Sequence, residues 1–143
     1  MQLNHVQTDA APMPNGHYVQ ATTHQGLIYV STQLPIDPET GPLQKADVTT
    51  QAQRVLENLM AIVRAGGGDA ETILRITLYV SDVSLWPAVN EVYEKFFGDV
   101  KTARGVIPTG GKLHLGFDVA ADAIAAQRTT GGNSVGTEPG CAS

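Results

Sequence analysis

The stretch ILRITLYVS, residues 73–81, alternates with a period of two. Leu74, Ile76, Leu78 and Val80 fall on one side, and Ile73, Arg75, Thr77 and Tyr79 on the other. A strand with one apolar face and one mixed face suits a sheet that helices cover on one side only. Its neighbours in the chain should therefore include the covering helices.

They do. Upstream, Ala52, Val55, Leu56, Leu59, Ile62 and Val63 recur at three- and four-residue spacing and build one apolar stripe. Thr50 with Gln53 predicts a capping box at the start of that helix, and Gly66, Gly67 and Gly68 predict its end. Downstream, a second helix is expected from about Ser84 to Phe97, with Ser84 as cap and Pro87 in the first turn. Leu85, Val89, Val92 and Phe96 line its apolar face. Before the first helix, residues 17–22 and GLIYVSTQ (26–33) read as two strands. In the second, Ile28, Val30 and Thr32 share one face, and Leu27, Tyr29 and Ser31 the other. PIDPETG (35–41) is a turn, and two further strands are expected near 103–108 and 115–125.

The order β-β-α-β-α-β-β predicts an α+β fold: a single mixed sheet with two helices packed on one face. Residues 1–126 form the domain, residues 1–16 read as an irregular arm, and the Gly-, Ser- and Thr-rich residues 127–143 as a disordered tail. The second sheet face, with Leu27, Tyr29, Ile73 and Tyr79, is partly apolar and uncovered. An open face of that kind predicts oligomerisation through it.

Composition narrows the function. The 143 residues fit one domain, 42% are apolar, and no apolar run approaches the length of a membrane span. The first residues lack the basic-then-apolar pattern of a signal peptide, so the expectation is a cytoplasmic protein. A formal charge of −5 without a Lys/Arg cluster argues against nucleic acid as partner. Cys141, the one cysteine, can form neither an internal disulfide nor a metal site. His5, His17, His24 and His114 lack metal-ligand spacing, so no metal is expected. PTGGKLH (108–114) lacks the spacer of a phosphate loop. Asp118 and Asp122, four apart on one strand, stand about 13 Å apart and are no acid/base pair.

One residue is out of place. Arg104 opens the apolar run ARGVI (103–107) with a permanent charge. Two readings follow: a structural ion pair with some carboxylate of this chain, or a fork of donors held for a ligand carboxylate. For Ser31 the pattern alone favours a hydroxyl bonded to backbone.

Several strings resemble the Rid (YjgF) family of reactive intermediate deaminases, in order and spacing over residues 12–126. They are YVSTQLPIDPETG (29–41), QAQRVLENLMAIVRAGGG (51–68), VSDVSLWPAVNEVYEKFFGD (80–99) and KTARGVI (101–107). The resemblance implies a homotrimer whose sheets close a central barrel, with ligand clefts between neighbouring subunits. It implies that Arg104 grips the carboxylate of a 2-imino acid or related enamine while water hydrolyses the C=N bond to a 2-oxo acid and ammonia. Tyr18, Ser31 and Asn90 would line or support the cleft, without metal or organic cofactor.

The departures from the family pattern bear on the reaction. Where many members carry a water-positioning glutamate this chain has Ala120, and Asp122 lies two residues on, about 7 Å along the strand. Val106 replaces a common cysteine, Thr32 a glycine, and His17 a proline. Asp122 takes the glutamate's part only under a shifted register. Otherwise the pocket is wider, His114 or His17 takes over the task, or the protein binds carboxylates such as 2-oxo acids without turnover. Ribonuclease activity, attributed to some members, is disfavoured by the acidic charge.

Overall fold

The first helix organises the chain, because it buries more residues than any other described element. In the computed structural model, which describes residues 1–129, α1 spans Val48–Ala65 and buries Ala52, Val55, Leu56, Leu59, Ile62 and Val63. Its cap is Asp47, one helical turn ahead of the expected box: the Asp47 carboxylate accepts from the Thr50 N–H at 2.8 Å. Thr50 therefore lies inside the first turn, where its own amide receives the cap. Gly66 ends the helix.

The strands are β1 (Asn4–Val6), β2 (Ala21–His24), β3 (Leu27–Gln33), β4 (Ile36–Asp37), β5 (Gly41–Pro42), β6 (Ile73–Val80), β7 (Ala103–Pro108) and β8 (Val119–Ala126). Six of them form one sheet in the order β1-β2-β3-β8-β6-β7, and β4 pairs with β5 across the turn predicted at 35–41. All pairings in the large sheet are antiparallel except β6 with β7. That parallel pair needs a crossover, which is α2 (Trp86–Phe97). The fold is α+β, a single mixed sheet with both helices on one face, as the alternation in residues 73–81 implies.

Packing follows from residue size. The inward residues of β8 are Ala121, Ala123 and Ala125, all buried, and α1 lies over them. Small side chains there let the helix come close to the sheet. The same closeness explains Gly68, whose missing Cβ would sit 2.8 Å from the backbone oxygen of Ala126.

Several local expectations are corrected. The arm contributes the edge strand β1, and the first long strand pair begins at Ala21 rather than at residue 17. Ser84 does not cap α2; Asp82 caps a single 3-10 turn over Val83–Leu85, and α2 starts at Trp86 with Pro87 in its first turn. The buried face of α2 is Val89, Val92, Tyr93 and Phe97, so Tyr93 and Phe97 take positions that the apolar pattern gave to Leu85 and Phe96. The last strand starts at Val119 because His114–Gly116 form a single turn with Leu115 at φ 62.

Two register shifts matter more. One lies between Ile73 and Arg75, so Ile73 is buried and Leu74 is 50% exposed, the reverse of the alternation. The other lies between Val30 and Gln33, so Gln33 turns inward and Thr32 stays exposed. An extra residue in a strand moves everything beyond it to the opposite face. The uncovered face consequently carries Tyr29, Tyr79 and Leu74, not Ile73.

The arm and the chain's far end are both tied down. Buried Gln20 accepts from the Thr8 N–H at 2.7 Å and donates to the carbonyls of Thr8, Ala11 and Pro12. At the start of the expected tail, the Gln127 N–H donates to Gly26 O and the Arg128 N–H to Gly67 O. Residues 130–143, with Cys141, lie outside the described residues. No helix among the described residues is long and apolar enough to cross a membrane.

Candidate functional site

Arg104 sits on β7, the last strand of the sheet, in register with Ile76 of β6. Ile76 is fully buried under the helices, so Arg104 projects from the helix-covered side of the sheet. There it meets α2. Nη1 donates to the Asn90 Oδ1 at 2.9 Å, and Cζ lies 4.9 Å from the Trp86 ring centre and 4.8 Å from that of Tyr93. Trp86, Asn90 and Tyr93 are spaced four and three apart, which places all three on one helix face. The guanidinium is therefore held between two aromatic rings by cation–π attraction and oriented by one amide.

No carboxylate among the described residues pairs with it: the ion pairs there belong to Arg54, Arg64, Lys95, Lys112 and Arg128. Of the two readings of Arg104, the structural ion pair is the one the geometry does not realise. Asn90 uses one of five N–H donors, and Arg104 remains exposed. Asn90 in turn donates to Glu94 at 3.4 Å. Val106, two residues on and facing the same way, packs against the core. Between them lies Gly105, on the opposite face, where the Arg75 guanidinium comes within 2.6 Å of the place a Cβ would take and would have to swing aside for any larger residue.

A second group forms elsewhere. Tyr18 and Thr32 line a cavity of about 160 Å³ together with Met13, Leu34, Ile36 and Leu115. The Ser31 hydroxyl donates to Val19 O at 2.6 Å, the backbone bond that the pattern favoured. Thr32 donates to the Asp122 Oδ2 at 2.9 Å, and the Tyr79 hydroxyl donates to the same oxygen at 3.0 Å. Burial, and then the bond to Asp122, push the Tyr79 phenol above its ordinary pKa. Ala120 is 3% exposed and in register with Tyr79.

His17 and His114 are both exposed and neither lines the Tyr18 cavity. His114 belongs to the turn whose Leu115 adopts a left-handed backbone, a conformation that costs about 1–2 kcal/mol outside glycine. Asp118 anchors that loop by accepting from Ser81 at 2.6 Å and Lys112 at 2.7 Å. Burial alone would raise its pKa, but the bonds from Lys112 and Ser81 outweigh it and hold the carboxyl below the usual range.

The sequence-derived residues thus fall into two sets within one protomer. Arg104, Asn90 and Val106 stand at β7 on the helix side; Tyr18, Ser31, Thr32 and Asp122 stand at β3 and β8. Strands β8 and β6 separate β3 from β7, about 14 Å at the usual spacing. Asp122 is in register with Thr77 and so faces away from the helices, opposite to Arg104. One chain does not bring Asp122 to the guanidinium. Trp86 and Tyr93 were not singled out in the sequence, although their spacing from Asn90 was the available signal.

Among the described residues no three His, Cys, Asp or Glu side chains gather as a metal site would require. The chemistry available is anion binding at Arg104 and hydrogen bonding at Thr32.

Comparison with known proteins adds the following. The family described as endoribonuclease L-PSP matches residues 8–127. A RutC family protein of Pyrococcus abyssi is 41% identical over 97 residues, covering 68% of this chain and 76% of that protein. The YjgF gene product of E. coli superposes with a TM-score of 0.82 at 34% identity, covering 87% of this chain and 99% of that one. TdcF of E. coli, solved with bound serine, gives a TM-score of 0.82 at 31% identity, with coverage of 87% and 99%.

Proposed function

The chain belongs to the endoribonuclease L-PSP family, the Rid or YjgF family that its motifs resemble, and from that premise we propose that it hydrolyses a small carboxylated imine or enamine. A 2-imino acid and water give a 2-oxo acid and ammonia. The observation that carries this is the Arg104 guanidinium, oriented by Asn90, Trp86 and Tyr93 and not paired with any carboxylate of the described residues. A fork fixed before ligand arrives forgoes part of the ordering cost of binding. TdcF, similar over 87% of this chain, holds serine, itself a small carboxylate.

The site requires a second copy of the chain. The outer edge of β7 has no partner strand among the described residues, and two strands stand between β7 and the Tyr18 and Thr32 group. A homotrimer closed through the uncovered sheet face brings Arg104 of one copy to the Tyr18 cavity of the next. The uncovered face supports this assembly, with Tyr29 and Leu74 each about half exposed at 45% and 50%.

The chemistry asks little of the protein. Water adds to the C=N carbon, a proton moves to nitrogen, and the C–N bond of the resulting carbinolamine breaks as nitrogen takes a second proton and leaves as ammonia. Thr32 donates its hydroxyl proton to Asp122, which leaves its oxygen free to accept from a water in the Tyr18 cavity. Asp122 is then a positioning residue, acting through Thr32. Orientation and charge stabilisation at a preorganised site supply the rate.

The test is ammonia release from 2-iminopropanoate or 2-iminobutanoate generated in situ. Arg104→Ala is expected to lower kcat/KM by about 100-fold or more. Unchanged release would remove Arg104 from the mechanism. One observation favours a second reading, a binder without turnover: Ala120 puts a methyl where the family's glutamate would stand. That reading predicts thermal stabilisation by 2-oxo acids with no ammonia released.

A further inference from the structure

Arg104 also forms part of the wall of a second cavity, between the C-terminal half of α2 and the chain leading into β7. It measures about 450 Å³, within the range of sites that take whole metabolites and larger than a three-carbon imine fills. Tyr93, Phe97 and Val100 make its apolar wall, and Lys101 and Arg104 supply two cations against the single carboxylate of Glu94. Lys101 is exposed and has no ion-pair partner among the described residues. Thr102 is committed, donating to Ile73 O at 2.9 Å. Tyr93 is 7% exposed, and its hydroxyl has no hydrogen-bond partner among the described residues.

We propose that this cavity is a subsite for a second anionic group, so that the protein takes dicarboxylic imines, those derived from acidic amino acids, and the matching 2-oxo diacids. One carboxylate lies on Arg104 and the other on Lys101, with the linking carbons against Tyr93 and Phe97. The backbones of residues 101 and 104 are at most about 10 Å apart, and two long cationic side chains close that span around a short diacid. Glu94 repels a second carboxylate, but the two cations outnumber it. The inference rests on Arg104 as carboxylate anchor and goes beyond it by naming the substrate class.

Glutarate and butyrate, which carry two and one carboxylates and cannot be hydrolysed, separate the two claims in calorimetric titrations of the full chain. Glutarate is expected to bind about fivefold or more tightly than butyrate, and Lys101→Met to collapse that ratio toward one. Lys101→Arg should keep it. Butyrate binding with no preference for glutarate, or a preference untouched by Lys101→Met, overturns the subsite and leaves the Arg104 anchor standing. Binding of neither acid overturns the anchor and the subsite with it.

Discussion

At the level of single residues, the site depends on what surrounds one guanidinium. Asn90 accepts from Arg104, and because an amide is neutral, it orients the cation without neutralising it. Asn90→Ala should therefore loosen the fork and lower kcat/KM about tenfold, chiefly through KM. Asn90→Asp should do more harm, since it supplies an internal carboxylate that competes with the ligand for the same donors. Steady-state kinetics on both variants checks the order; an Asp variant as active as wild type would mean that the ligand carboxylate is held elsewhere. The sequence marked Arg104 because a charge at the head of an apolar strand needs a reason, and it marked Asn90 only through family resemblance. It did not mark Trp86 and Tyr93, which read as ordinary apolar helix residues until β7 places a cation against them.

At the scale of the element, helices were more legible than strands. The α1 stripe repeats over 18 residues, so a single error in phase would have been visible. The two strands with register shifts, β3 and β6, are only seven and eight residues long, and a period-two pattern cannot see such a shift. The shift between Val30 and Gln33 turned Thr32 from an expected core-facing residue into the partner of Asp122. The shift between Ile73 and Arg75 exchanged Ile73 with Leu74 on the open face. Asp122 lies two residues beyond Ala120 and so shares its face of β8, but its bonds to Thr32 and Tyr79 could not be foreseen from spacing. The connection from α1 to β6 gives a stability test. Gly68→Ala drives a Cβ to 2.8 Å from the Ala126 backbone oxygen, an atom that moves only with β8. The expected cost is about 1–3 kcal/mol, read from denaturant unfolding. A neutral substitution would show that the helix does not lie as close to β8 as the packing requires.

At the scale of the whole molecule, the unfinished site and the unfinished surface point to the same remedy. The sheet leaves one face open, the outer edge of β7 has no partner strand among the described residues, and the two groups of candidate residues do not meet in one chain. The net charge of −5 fits a small-molecule cleft better than a phosphate backbone, although the matching family is described by a ribonuclease name. The direct test of a site shared between copies is subunit mixing. Arg104→Ala and Tyr18→Ala are each expected to be inactive alone. Unfolded together and refolded at equal amounts, they should regain activity toward about one quarter of the wild-type level, because that fraction of interfaces pairs an intact Arg104 with an intact Tyr18. No recovery in mixtures shown to contain both variants in one assembly would contradict the shared site, and with it the reading of Arg104 as an anchor completed by a neighbouring chain.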